Sequence, residues 1–321
     1  MLNSTRGLRL RLGRFRPIAI ITILRSLKPK ELLSLNFMSA YLSKYFTLAQ
    51  RIDCAIAHYS FEGRHYGPTY RHFVHQSPRG LVLWHRVVDG ARYEITLRAS
   101  DDGRREGELS VLCFVNDTRV SCISFSYVNS RLFGLGPGRT MFVSRSQTNR
   151  SPELQRFRDT FKQNSPSYFC LASVCGIAMA NGMRTILMIK HDAQLGYAER
   201  YAEGFRNSYS ALWEAFGAEE IDDLHAYTMS LPLKLNTLSC RKHKARAIAR
   251  RRNWLEIALS ARQAMLKDRT SRAPPPIEGE AHALLPYLAD AHAETKVATL
   301  RRVCAAPRGE AVVSRAVQRE R

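Results

Sequence analysis

Between residues 81 and 147 apolar side chains recur at every second position, the period of a half-buried strand rather than a helix. Five strands are predicted, over 81–88, 93–99, 107–116, 119–128 and 139–147. Asp89-Gly90, Asp101-Asp102-Gly103 and Asn116-Asp117 mark turns between them. Links this short make antiparallel hairpins, because a parallel pair needs a long crossover. Gly134-Leu135-Gly136-Pro137-Gly138 looks like a phosphate loop but leads into a strand. No helix dipole is then aimed at an anion, so the segment reads as a hairpin loop.

The period changes to helical on both sides of this block. Over 29–59 Leu32, Leu33, Leu35, Phe37, Met38, Tyr41, Leu42 and Tyr45 recur at near-helical spacing, with a second helix from 48 to 58. Residues 60–78 read as a short helix or loop. After Gln147, Ser151-Pro152-Glu153 starts one helix and Ser165-Pro166 the next, which ends at Asn181-Gly182. The apolar run 185–189, flanked by helices, reads as an inner strand. One helix over 198–216, closed by Gly217, and a strand over 227–231, stopped by Pro232, follow. A basic helix is expected over 241–265.

These elements predict a single α/β (α+β) domain over 31–266, with a mostly antiparallel, mixed sheet flanked by helices. A basic arm precedes it over 1–30. The tail over 267–321 carries Ala273-Pro274-Pro275-Pro276 and little periodicity, so little order is expected there.

A formal charge of +21 calls for an anionic partner: nucleic acid, an acidic membrane surface or a polyanionic ligand. The charge is concentrated in the first thirty residues and in Arg241, Lys242, Lys244, Arg246, Arg250, Arg251 and Arg252. Nucleic acid ranks last, because the basic runs lack interleaved aromatics for stacking bases. The run from Ile18 to Leu24 is too short to span a bilayer and lacks the marks of a signal peptide. It reads as an interfacial helix or a docked terminal one. The seven cysteines form no metal-binding spacing and read as buried, reduced thiols of a cytosolic protein.

Glu106 and Glu108 stand two apart at the mouth of a predicted strand, so both are expected on one face, as an acid–base pair or as a charged turn. His72 and His75 could present two nitrogens from one helix, but no third ligand stands near, and no metal is expected. Gln147 and Arg150 flank the start of the helix at Ser151 and form a candidate anion site. Tyr209 and Trp213, four apart beside Phe205 and Phe216, form either core or the wall of a ligand site.

Several short segments, in order, resemble the bacterial VirK/YbjX family. They are His58-Tyr59, Glu106 to Ser110, Ile123 to Ser126, Gln147, Pro166, Tyr209 to Trp213, Leu231-Pro232 and Arg241-Lys242 with Arg250 to Arg252. The likeness spans roughly 32–259. It implies a bacterial protein linked to virulence, surface display and tolerance of antimicrobial peptides, with no established activity to carry over. The chain departs from the family where Thr148 replaces a usual glycine. The resemblance leads to the first expectation: an accessory factor, cytoplasmic and peripheral at the inner membrane, that binds anionic lipid or an envelope protein.

The element order also resembles the acyl-CoA-dependent N-acyltransferase fold. That likeness implies a second expectation, an acyltransferase taking acyl-CoA or an acyl carrier donor, with Glu106 and Glu108 catalytic and Gln147, Arg150, Tyr209 and Trp213 binding. The glycines of that fold's cofactor loop are missing from Gln147 to Pro152.

Overall fold

The alternating block folds as read. In the computed structural model, which describes residues 40–100, 104–162, 164–233 and 241–269, it gives β1 (Leu81–Val88), β2 (Ala91–Ala99), β3 (Leu109–Val115), β4 (Thr118–Asn129) and β5 (Arg139–Thr148). Asp89 and Gly90 both have positive φ, at 48° and 74°, and so do Asn116 and Asp117, at 45° and 70°. Two positive φ angles in a two-residue turn match the right-handed twist of a hairpin.

β6 (Thr185–Ile189), β7 (Glu219–Ile221) and β8 (Ala226–Ser230) complete an eight-stranded sheet in the order β1-β2-β3-β4-β5-β6-β8-β7. The short β7 carries two exposed glutamates and no alternation, so its pattern gave no warning of it. Among the described residues β5 and β6 are the only parallel neighbours. The crossover joining them holds α3 (Pro152–Thr160) and α4 (Pro166–Ala180), after α1 (Leu48–His65) and α2 (Pro68–His75) earlier in the chain. Ser151 and Ser165 cap α3 and α4, each accepting a backbone N–H.

Helix α4 is apolar all round because it lies between two layers. On one side are the inward residues of β3, β4 and β5; on the other is α7 (Arg241–Lys267). Gly176 lets the two helices touch: a Cβ there would stand 2.1 Å from the Ala258 carbonyl oxygen. Helix α7 is tied to β1 as well. Arg86 Nη2 donates to both Glu256 oxygens at 2.5 and 2.6 Å, Trp84 Nε1 to Oε1 at 3.1 Å, and Ser260 Oγ to the Leu83 carbonyl at 2.7 Å.

The basic helix is therefore a core element. Trp254, Leu255, Ile257, Ala258, Ala261 and Met265 are buried, and Arg250, Arg251 and Arg252 are half-buried, with the Arg250 guanidinium 5.5 Å from the Trp254 ring centre. The side chains of Arg241, Lys242, Lys244 and Arg246 lie outside the described residues, as do the basic arm over 1–30 and everything in the tail beyond Arg269.

Two helical readings are corrected. Residues 41–45 leave the helical pattern, because Leu42 has φ 61° and the Ser43 N–H reaches back to the Tyr41 carbonyl at 2.7 Å. That is a three-residue turn of the rare, positive-φ kind. The predicted helix over 198–216 is instead a 3₁₀ turn followed by α5 (Ala202–Ser208) and α6 (Ser210–Ala215), with a kink at Tyr209, φ −121° and ψ −84°. Gly204, Asn207 and Ser208 are weak helix formers and give little resistance to that kink.

Helix α1 is anchored by a buried polar network. Glu62 accepts from the Tyr70 hydroxyl at 2.6 Å, and His58 Nε2 and His75 Nε2 stand 3.2 and 3.3 Å from its other oxygen. The Tyr127 backbone N–H donates to His58 Nδ1, so that nitrogen is bare and the ring proton faces Glu62. Burial opposes ionisation of Glu62, but the two histidines outweigh it and hold the carboxyl well below the usual carboxylate range. A depressed folded-state value stabilises at every pH above the unfolded value, near ~4.3, and that stabilisation is lost as pH falls further. Glu62→Gln is expected to cost about 2 kcal/mol at neutral pH, by leaving buried donors poorly matched, and to flatten the acid limb of stability. Urea unfolding at pH 7 and at about pH 2, well below the unfolded value, checks this; equal losses at both would contradict it.

Candidate functional site

The register of the parallel pair creates an opening. β6 pairs with β5 only over Met141 to Val143, opposite Ile186 to Met188, yet β5 runs on to Thr148 paired with β4 alone. Ser144 is the extra residue of a bulge at the point where β6 leaves. Beyond it no described strand lies beside the other backbone edge of β5, and a cleft of about 470 Å³ opens there. Its walls come from Arg145 to Thr148 of β5, from Glu106, from Gln194 and Gly196 past the end of β6, and from α5 with Tyr209. Crevices at the carboxyl ends of parallel strands are the usual ligand sites of α/β sheets.

Glu106 ends a 3₁₀ turn, Arg104–Glu106, and Gly107 follows with φ 133°. A Cβ at Gly107 would stand 2.7 Å from the Phe125 backbone nitrogen, so only glycine allows this approach to β4. The carboxylate of Glu106 accepts from Gln194 Nε2 and lies 3.3 Å from Arg145 Nε. Burial pushes its pKa up, Arg145 and Gln194 pull it part of the way back, and the net shift is upward.

Glu108 faces elsewhere. It is buried, and it accepts from the Tyr41 and Tyr59 hydroxyls at 3.1 and 2.7 Å. The expected carboxylate pair on one face is thus not formed: the left-handed step at Gly107 breaks the strand alternation on which that reading rested. Glu106 lines the cleft and Glu108 does not.

Gln147 lines the cleft, and its Oε1 accepts from Arg145 Nη2 at 2.5 Å. Tyr209 does too, placed there by the kink between α5 and α6, with its ring stacked on Phe205 at 5.8 Å. Burial pushes its phenol pKa well up; the Ser146 backbone opposes this by hydrogen bonding, and the Glu106 charge adds to it. The hydroxyl therefore stays protonated at neutral pH. Arg150 is exposed and is not among the lining residues. Trp213 is fully buried and donates its Nε1 proton to the Ile189 carbonyl at 2.8 Å, which makes it core rather than ligand wall.

Arg145, Gln194 and Tyr201 also line the cleft and were not singled out from the sequence, whereas Phe205 was noted beside Tyr209. Arg145 stands two positions before Gln147 on a strand and so shares its face, a signal that was available. Gln194 follows the inner strand at its carboxyl end, the place where the fold would have pointed. Among the described residues there is no group of three or more His, Cys, Asp or Glu side chains able to hold a metal. His72 pairs with Gln76 and His75 with Glu62. Cys54, Cys113, Cys122, Cys170 and Cys175 are buried free thiols. No described helix is long and apolar enough to cross a membrane.

The order of strands, the serine-capped crossover helices and the basic α7 match the succession of segments noted in the sequence. A family model described as a protein of unknown function, DUF535, matches residues 22–263. The chain belongs to the DUF535 family. No curated protein and no solved structure gives a significant match. The DUF535 match takes in the whole sheet, both walls of the cleft and most of α7.

Chemically, the cleft of this DUF535 domain offers a carboxyl group of raised pKa, a protonated phenol and a length of β5 edge from which β6 has parted, engaged at Ser146 by the phenol. A base and an acid in one cleft can move two protons in one reaction. A strand edge can pair with the amides of an extended ligand.

Proposed function

We propose that this protein is an acyltransferase that takes its acyl group from an acyl-CoA or acyl-carrier thioester. The observation that supports it most is the parting of β5 and β6 after Val143, with Glu106 and Tyr209 in the cleft that results. The pantetheine arm of such a donor carries amides and would lie along β5 where β6 has parted from it, beside the Tyr209 hydroxyl at Ser146. Glu106 takes a proton from the acceptor's amine or hydroxyl as it attacks the thioester carbonyl. The tetrahedral intermediate then expels the thiolate, and the Tyr209 hydroxyl supplies the proton that the leaving sulfur needs. A raised carboxyl is a stronger base than an ordinary one, and the Tyr209 hydroxyl, on the same cleft wall, can reach the sulfur as charge develops there. The donor is a substrate; no resident cofactor is called for.

The VirK/YbjX likeness favours a bacterial envelope or virulence setting. The acceptor would then be a component of the envelope, reached from its cytoplasmic side. The reading as a purely accessory, lipid-binding protein receives less support, because the half-buried Arg250, Arg251 and Arg252 sit on a helix that builds the core.

Acetyl-CoA at a hundred times its dissociation constant is expected to stabilise the fold by about 2.7 kcal/mol. For a domain of this size that is a rise of roughly 5–10 °C in the thermal midpoint. Thermal unfolding followed by circular dichroism, with and without millimolar acetyl-CoA, tests it. An unchanged midpoint would contradict the reading.

A further inference from the structure

We propose that Gln194 is a positioning residue for Glu106, holding its carboxylate turned into the cleft. The proposal rests on the reading of Glu106 as the base. Gln194 is 3% exposed and lies in the loop past β6. One end of its amide is committed, because the Gly196 backbone N–H donates to Oε1 at 2.5 Å. That leaves Nε2 to face Glu106, to whose Oε1 it donates. An amide nitrogen can donate to a carboxylate but cannot accept from a carboxylic acid. Held this way round, Gln194 favours the ionised form, the form from which a base must start.

The surroundings keep this contact in place. Ser144 Oγ donates to the Glu106 carbonyl at 2.5 Å, which fixes the main chain of the turn to the bulge in β5. A strap from Tyr41 to Lys44 joins the two loops: the Leu42 N–H donates to the Arg105 carbonyl at 2.6 Å and the Lys44 N–H to the Ala193 carbonyl at 3.0 Å. The strained φ of Leu42 falls in the middle of that strap. Strain of this kind persists where the surroundings over-determine a conformation, often beside a functional group. A Cβ at Gly196 would stand 3.1 Å from Gln194 Oε1, so glycine keeps room for the locked amide. The charged or titratable groups facing Glu106 are Arg145 from β5 and Tyr209 from the α5–α6 kink. Neither replaces an amide on Oε1, because Arg145 approaches Oε2.

The test reads Glu106 itself. Glutamate carboxyl carbons are labelled with ¹³C in the full chain, and the Glu106 signal is identified by its loss in Glu106→Gln. The titration is then repeated in Gln194→Met, close in shape but without the amide, and in Gln194→Asn, which is too short to reach. Both are expected to raise the Glu106 midpoint by roughly one pH unit, the size of a lost hydrogen bond to a charged group, with the other midpoints unmoved. An unchanged or lowered midpoint in either folded variant overturns the proposal. So does loss of the native spectrum in both, which would make Gln194 a residue of the fold alone. No step of this readout involves acyl transfer, so failure here and failure of acetyl-CoA to bind are separate results.

Discussion

Glu106→Gln is expected to slow acyl transfer by about 10²–10⁴-fold while acetyl-CoA still binds. Glutamine keeps the shape of the side chain, but its single oxygen accepts from only one of Gln194 and Arg145, and it cannot accept the acceptor's proton. The loss should therefore fall on kcat rather than on donor affinity. The wild-type pH profile carries a second part of the same prediction. Burial raises the Glu106 pKa against the pull of Arg145 and Gln194. A base works when ionised, so activity is lost as pH falls through a value raised from that of an ordinary glutamate, and that limb should be missing in Glu106→Gln. Rates measured from pH 5 to pH 9 with acetyl-CoA and a panel of amine and hydroxyl acceptors check both parts. Full activity in Glu106→Gln would remove it as the base.

The largest structural effect is expected at Gly176. A methyl group there would stand 2.1 Å from the Ala258 carbonyl oxygen and 2.9 Å from the Ala261 Cβ. Neither contact can be relieved by turning a flexible side chain, because one partner is backbone and the other is a Cβ. Helix α4 cannot retreat, since its opposite side is packed on β3, β4 and β5. Helix α7 cannot shift freely, since Glu256 and Ser260 hold it to β1. Gly176→Ala is therefore expected to cost about 3 kcal/mol, the upper range for overpacking a core. The thermal midpoint should fall by roughly 6–12 °C. A fall of less than about 2 °C on the same scale would mean that the two helices do not cross so closely.

The strand block was legible because antiparallel hairpins announce themselves twice, by alternation and by turn residues such as Asp89-Gly90 and Asn116-Asp117. Two helices, α3 and α4, were legible from their serine caps as well as from their period. What escaped was whatever depended on a single backbone step. The positive φ of Gly107 sends Glu106 and Glu108 to different partners, and a strand period cannot show it. The kink at Tyr209 turns one predicted helix into two and puts the phenol in the cleft. The positive φ of Leu42 ends a helical reading that its apolar spacing supported. The candidate site was half visible for the same reason. Glu106, Gln147 and Tyr209 come together in space, whereas Glu108 and Trp213 are held by buried partners and Arg150 lies outside the lining. The basic helix was legible as a helix, but charge in a sequence does not say which of its faces is packed, and α7 buries Trp254, Ile257 and Ala261.

The central claim is that the cleft beside β5 is where the thioester donor binds. Gly204 lines that cleft, and a Cβ there would meet nothing within 4 Å, so Gly204→Trp adds bulk at the cleft wall without disturbing the core. Isothermal titration of acetyl-CoA into the wild-type chain and into Gly204→Trp, both shown to be folded, tests the claim most directly. Saturable binding to the wild type and its loss in Gly204→Trp is the result predicted here. Equal binding to both, or no binding to the wild type at millimolar acetyl-CoA, would contradict it.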